Sequence, residues 1–505
     1  MKNFQNYKII TSLTAKDFFY ILFWLFLFLS INSKPSQLYS DGFGVINGMR
    51  SIIPTILLLP AIIFFFKSSF KRDKLYKSSN IIIYLFLLYS LSQVIGGILY
   101  DGFYNYYEAN YLIYSYILLL LIIYELNQNN KSNAINLITI ITVFFILVLS
   151  AQYVYESIQD YFFNPNNAFT KWMYAINEVK QDTYQNPSPR ITGTSRIIAL
   201  LSIIIMVFYF NIKENSKKII LSILFFSLTT IIWMMQSRGT IICFIFSILF
   251  LIFFNYKLTL LKKIIITLIC ILIPFSMANI IYTLKISLKF YDICSKNYLD
   301  KNKNCELIFF DEKEINKFME EFGKNKTKIK NLEKIIKSYK KNKLENRFIE
   351  PTLDQTSSYS SGRVEIWKRI YHLYNKNNIF GLGPQGDRKL LANEGDLVAH
   401  YSSNASSLVF YALISSGLIG LTCILLALPL IFIKILKILL IKNKLYEKKN
   451  IASLSSSIIL IFLLIRALIE NSFAIFSLDA LFFFNALIIL LVNSKNFLKN
   501  SDNLI

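Results

Sequence analysis

Apolar residues in this chain come in blocks, not at alternate positions. The blocks fall near 18–32, 44–66, 79–100, 111–125, 134–154, 191–211, 219–236, 240–256, 264–283, 406–433, 451–469 and 474–493. Crossing the ~30 Å hydrocarbon core of a bilayer takes about 20 apolar residues in an α-helix, so the pattern predicts an all-α polytopic membrane protein with about twelve transmembrane helices. The run from Phe18 to Ile31 is followed by no small-residue cleavage site and leads into further spans. It is read as the first membrane helix, not as a signal peptide.

The polar segments between the blocks alternate in charge. Lys67 to Lys77, Lys213 to Lys218, Asn255 to Lys263 and Lys434 to Lys449 are basic, whereas segments such as Asp101 to Asn110 are acidic or mixed. An excess of Lys and Arg marks cytoplasmic loops. Every second loop, and both termini, are therefore expected on the cytoplasmic side. Two long polar segments, about 156–190 and 284–405, then fall outside, together with the tight turn QSRGT at 236–240. The expected organisation is helices one to nine within 1–283, a large outer loop over 284–405, and three helices with a cytoplasmic tail over 406–505.

Composition changes this picture little. The 505 residues are 54% hydrophobic, with a net charge of +23 and a mean hydropathy of +0.46. That much positive charge could signal a nucleic-acid partner, but many of the lysines lie in short loops between apolar blocks, where topology accounts for them. No nucleic acid is expected. Of five cysteines, Cys243, Cys270 and Cys423 lie within apolar blocks and read as packing residues. Cys294 and Cys305 share the large outer segment, where a disulfide is chemically permitted. In that segment, Glu312 to Lys341 interleaves charges of both signs with Phe318, Phe322, Leu332, Ile336 and Tyr339 at helical spacing. Such a pattern describes a solvated amphipathic hairpin divided near Gly323. A further amphipathic helix is expected over Val364 to Tyr374, carrying Trp367 and His372.

Candidate chemistry is sparse. No HxxxH, CxxC or DxD-type cluster is present, so neither a metal nor a cofactor is expected. The segment GLGPQG, 381–386, matches a dinucleotide fingerprint only formally and reads as a flexible turn, because it follows no buried strand and opens no helix. Arginines are more informative. Arg190 opens RITGTS before an apolar block, Arg238 sits in the SRG turn, and Arg363 stands in SGR. A guanidinium at the membrane edge must reach water or meet an anion, and its forked donors suit phosphate oxygens. Three of them expected on one side make a lipid diphosphate an obvious anion. His400 lies in LVAHYSSNASS, just before a long apolar block and four residues from Asn404, and with an ordinary pKa of about 6.5 it could serve a hydroxyl as base or hydrogen-bond partner. In LIRALIEN, Arg466 and Glu470 are again spaced four apart. An internal ion pair is the reading preferred for Arg466, while Glu470 stays open.

The order of these pieces resembles the O-antigen ligase superfamily of membrane glycosyltransferases, which includes polysaccharide polymerases and protein O-oligosaccharyltransferases. The matching pieces are RITGT, the SRG turn between two helices, SGRVEIW, NIFGLGPQG, AHYSSNASSLVFYALISSGLIG, and the Arg/Glu helix near the C-terminus. They span about 190–471; the earlier helices match only in general character. The resemblance implies a GT-C-like helical fold in a bacterial inner membrane. It also implies metal-independent, inverting transfer of a glycan from a polyprenyl diphosphate to a sugar hydroxyl at the periplasmic face. On that basis Arg190 and Arg238 hold the diphosphate, with Arg238 counted in the catalytic pair with His400, and Arg363, Asn404 and Glu470 contribute to substrate binding. The chain departs from many members in having AHYSSN in place of a His-x-His-Asn-like string, and in its long lysine-rich outer loop. Ligation of O-antigen to lipid A core is the preferred activity; polymerisation of repeat units and protein O-glycosylation are the alternatives. A lipid-linked sugar transporter and a membrane docking protein are the readings from other classes. The expected partners are the donor, a lipid A core or glycan acceptor, and membrane lipids.

Overall fold

The computed structural model describes residues 78–105, 132–163, 191–235, 237–255, 257–297, 363–374, 379–384, 386–387, 390, 407–440, 451–469 and 478–501, with isolated positions at 21, 24, 62, 63 and 117. Among them the architecture is all-α. The helices are α1 (Ser78–Asn105), α2 (Ser132–Phe163), α3 (Ile191–Asn211), α4 (Asn215–Met234), α5 (Arg238–Phe253), α6 (Leu260–Asn297), α7 (Arg363–Leu373), α8 (Leu408–Leu440), α9 (Ile451–Ile469) and α10 (Leu478–Ser501). Seven of these are long and apolar enough to cross a membrane, and α5 and α10 contribute shorter apolar stretches. The chain is thus a multi-pass membrane protein. Apart from those isolated positions, the blocks predicted near 18–32, 44–66 and 111–125 lie outside the described residues, as does the amphipathic hairpin expected over 312–341.

Hydropathy located the spans but not the helix ends. Helix α6 runs on to Asn297 and α2 to Phe163, well past the apolar blocks that predicted them. Apolarity decides where a helix can sit in lipid; hydrogen bonding, once nucleated, continues until a residue breaks it. Connections of three to six residues join α3 to α4, α4 to α5 and α5 to α6, so neighbouring helices run antiparallel. Helix α9 lies at the centre, packed against α3, α5, α8 and α10, and thirteen of its nineteen residues are buried. Helix α6 packs on α4 and α5 and leaves many large apolar side chains exposed, as a lipid-facing helix does. Phe86 of α1 meets Phe483 and Phe484 of α10 edge to face at 5.8 and 5.3 Å, an arrangement the ring quadrupoles favour.

The pairing of α1 with α8 depends on a break. At Gly417 the backbone of α8 leaves helical geometry, with φ 64° and ψ −160°. A break inside the apolar layer exposes backbone groups that lipid cannot satisfy. Here the segment 379–383 satisfies them. Leu382 N–H donates to the Ile414 carbonyl (2.7 Å), Gly383 N–H to the Ser415 carbonyl (3.1 Å), and Ile419 N–H to the Ile379 carbonyl (3.3 Å). Gly381 and Gly383 take left-handed φ values of 76° and 83°. A Cβ on Gly381 would stand 2.5 Å from the Gly417 nitrogen, and one on Gly383 2.5 Å from the Gly97 Cα. The GLGPQG segment is therefore a docked element wedged between α1 and α8, not the flexible turn the sequence implied. Ser92 Oγ closes the contact by donating to the Ser416 carbonyl at 3.1 Å.

Helix α7 anchors the far side of this segment. Ile370 is buried, and the Trp367 ring stacks on Phe410 with centroids 5.5 Å apart. The Tyr374 phenol has its pKa raised, first by burial and then by the nearby Tyr100 hydroxyl, which places the end of α7 beside the end of α1. His372 faces solvent.

Replacing Gly417 by Ala is expected to destabilise the protein by more than about 1 kcal/mol, since Ala at positive φ is strained and its Cβ would enter the docked segment. Thermal unfolding of the purified protein checks this, with Leu418→Ala, at an exposed neighbouring position, as the control that leaves the midpoint near wild type.

Candidate functional site

Most polar side chains in the spans are satisfied within their own helix. Ser202, Thr229, Ser247 and Ser457 each donate to the carbonyl four residues back, at 2.7–2.9 Å. Such local bonds carry no information about a site. Bonds between polar side chains of α3, α5 and α10 fall at one end of the bundle.

The start of α3 and the start of α5 lie side by side there. Ser195 Oγ donates to Thr240 Oγ1 at 3.1 Å, and Ser237 Oγ contacts the same Thr240 oxygen at 3.0 Å. All three side chains are buried. Arg238 occupies the first position of α5, half-buried, and among the described residues no carboxylate pairs with it. Gly239 beside it is buried. The first amides of a helix lack intrahelical partners and carry the positive end of its dipole. Both effects add to the Arg238 charge.

A second cluster sits at the same end. Arg196 Nη1 of α3 donates to Asp479 Oδ2 of α10 at 2.8 Å, and Arg466 Nε of α9 lies 3.7 Å from the same oxygen. The first contact is a charge-assisted hydrogen bond; the second is an electrostatic contact beyond hydrogen-bond length. Burial is deep: the side-chain exposures are 17% for Arg196, 4% for Arg466 and 2% for Asp479. Helix polarity explains the placement, because Asp479 is in the first turn of α10 and Arg466 in the last turn of α9, where each charge opposes its own helix dipole. Since Ser195 precedes Arg196 and Thr240 follows Arg238 by two, the Ser195–Thr240 bond joins the two clusters into one electropositive end.

The sequence placed Arg238 here, and pointed to an ion pair for Arg466; among the described residues the partner of that arginine is Asp479 on the next helix. Arg196 and Asp479 were missed. The signal was available, because an ionisable residue inside an apolar block is costly unless it is paired or functional. Arg363 opens α7. His400, Asn404, Glu470 and Arg190 lie outside the described residues, Arg190 immediately before α3 and Glu470 immediately after α9. Cys243, Cys270 and Cys423 are free and buried in helices; the pairing of Cys294 with Cys305 lies outside the described side chains.

Fold and site together define a polytopic helical membrane protein with an electropositive, partly buried end. Residues 223–425 match the O-antigen ligase family, and the chain thus carries an O-antigen ligase family domain. That makes it a glycosyltransferase-like enzyme and implies lipid-linked glycans as its substrates in general. No curated protein matches the chain. The match takes in Arg238, Arg363, the docked glycine segment, His400 and Asn404; Arg190, Arg196, Arg466 and Asp479 flank it.

Thr240→Val removes the hydroxyl that joins α3 to α5 and leaves the Ser195 and Ser237 hydroxyls buried without that partner. A loss of about 1–3 kcal/mol in stability is expected, larger than for Ser195→Ala, as read from thermal unfolding of the two variants.

Proposed function

We propose that this protein is an inverting glycosyltransferase that moves a glycan from a polyprenyl diphosphate to a sugar hydroxyl, with O-antigen ligation to lipid A core as the preferred activity. The observation that carries the proposal is the electropositive end at Arg238, inside the matched family domain. Diphosphate is a good leaving group, and cations fixed where its charge develops lower the barrier directly. Arg238, at a helix N-terminus and without a carboxylate partner among the described residues, suits that task. Arg190, one residue before α3, is assigned to the same anion, with Arg363, Asn404 and Glu470 as further substrate contacts. His400 is assigned as the base that orients or deprotonates the acceptor hydroxyl. Inversion follows if the hydroxyl attacks the anomeric carbon opposite the departing diphosphate: one C–O bond forms as the other breaks, and the hydroxyl proton passes to the histidine.

The full protein is read as a GT-C-like bundle of about twelve spans, with the site at the periplasmic face of a bacterial inner membrane. The basic loops between α3 and α4 and between α5 and α6 lie at the opposite end of the bundle, and the positive-inside rule assigns that end to the cytoplasm. Polymerisation of repeat units uses the same donor chemistry with a different acceptor.

The test is the glycan profile of a deletion strain complemented with wild type, Arg238→Ala, Arg190→Ala or His400→Ala at matched membrane levels. Loss of a phosphate-neutralising arginine is expected to cost about 10²–10³ in transfer rate, and loss of the histidine about 10²–10⁴. Full-length lipid-linked glycan left unattached identifies a ligase; accumulation of single repeat units identifies a polymerase. Normal profiles from all three variants overturn the assignment.

A further inference from the structure

Ser237 is the residue just before α5, the position from which a serine oxygen ordinarily accepts a hydrogen bond from an amide two or three residues on and so caps the helix. It does not cap α5. Its Oγ donates instead to Thr240 Oγ1 at 3.0 Å, and the same oxygen receives Ser195 Oγ of α3 at 3.1 Å. Two donors fill both acceptor positions of one hydroxyl oxygen. All three side chains are buried, so packing and not solvent holds them in place. A threonine in a helix has two side-chain rotamers open to it, and the bond from α3 selects one.

The diverted hydroxyl leaves the mouth of α5 open. The ladder of α5 begins with Ile241 N–H donating to the Ser237 carbonyl at 2.9 Å. The amides at 238–240 lie ahead of that bond and have no acceptor within their own helix. A capping serine would lay its oxygen over these amides, in the space that a phosphate oxygen would take. Capping stabilises a helix, so turning the hydroxyl away forgoes stability at the one turn that carries Arg238. We infer that Thr240 is a positioning residue: its hydroxyl, pinned to α3 by Ser195, holds the Ser237 side chain off the first amides of α5, so that these amides and Arg238 together receive a phosphate of a lipid-linked donor. The inference rests on the function proposed above. The Thr240 hydroxyl acts through Ser237, not on the donor itself.

The test uses the full chain in lipid nanodiscs, with a polyprenyl diphosphate lacking any glycan as the probe and the matching polyprenol as control. Binding is measured by native mass spectrometry and folding by the thermal midpoint. Thr240→Val removes the acceptor, so the Ser237 hydroxyl turns to cap α5, and the probe is expected to bind about tenfold more weakly, which corresponds to ~1.4 kcal/mol. Thr240→Ser keeps the oxygen and is expected to recover most of the affinity. The decisive variant combines Ser237→Ala with Thr240→Val. With no hydroxyl left to occupy the amides, its affinity is expected to return to within about threefold of wild type, while its midpoint stays at or below that of Thr240→Val because one more hydrogen bond is lost. Binding and stability then move in opposite directions, which a purely structural role does not produce.

Wild-type affinity in Thr240→Val, or a double variant that binds as weakly as the single one, overturns the inference and reduces Thr240 to a fastening between α3 and α5. Should Thr240→Val not fold, Ser195→Ala decides the matter, since it releases the Thr240 rotamer but keeps its hydroxyl: binding about threefold weaker supports the inference, and wild-type affinity overturns it. Failure of the wild type to bind the diphosphate more tightly than the polyprenol removes the donor reading itself. Tight wild-type binding without recovery in the double variant removes only the role of Thr240.

Discussion

Hydrocarbon offers neither hydrogen bonds nor counter-charges, so each polar group carried into the membrane must find its partner in the protein, and an unmet backbone group costs several kcal/mol, on the order of a whole secondary-structure contact. Two features of this fold answer to that constraint. At Gly417 the helix ladder of α8 breaks, and the segment 379–383 supplies the missing donors and acceptor. At the electropositive end, Asp479 takes up charge from two arginines on two other helices. Helix packing across α1, α8, α9 and α10 is arranged so that both repairs can be made.

The same constraint separates polar residues that matter to a site from those that do not. Hydroxyls at 202, 229, 247 and 457 fold back on their own helices and would be silent whichever neighbours they had. Bonds between helices are different, because they fix the relative height and rotation of two elements. Ser195–Thr240 and Arg196–Asp479 are of this kind, and both fall at the end where α3, α5 and α10 present their N-termini. Positive helix ends and cationic side chains thus reinforce one another in one place. An anion is the ligand such a field would attract.

The family domain over 223–425 and the charge cluster divide the site between them. Within the match lie Arg238 and the glycine segment that is docked on α8; outside it, α3, α9 and α10 bring the residues that surround Arg238 with further charge. The docked segment 379–383 lies against α1 and α8, and the flanking helices place Arg196, Arg466 and Asp479 near Arg238's end of the bundle.

Much of this could be read from the sequence, because hydropathy has one physical cause. An apolar run of about 20 residues has few alternatives to spanning a bilayer, so the spans described here fell where the blocks predicted them. Arg238 was equally legible, since a guanidinium in a three-residue turn between two such runs has to lie at the membrane edge. What the sequence could not supply was partnership between distant residues. Arg466 stands four residues from Glu470, which suggested a pair along one helix; Glu470 lies outside the described residues, and among these the carboxylate near Arg466 is that of Asp479 on α10. Likewise GLGPQG has the composition of a loose turn, and only the approach of Gly417, Gly96 and Gly97 turns its missing side chains into a fit. Composition and spacing determined which segments enter the membrane and which residue types they carry there. The tertiary structure decided which charges meet and which glycines are needed, because those depend on how helices far apart in the chain are rotated against one another.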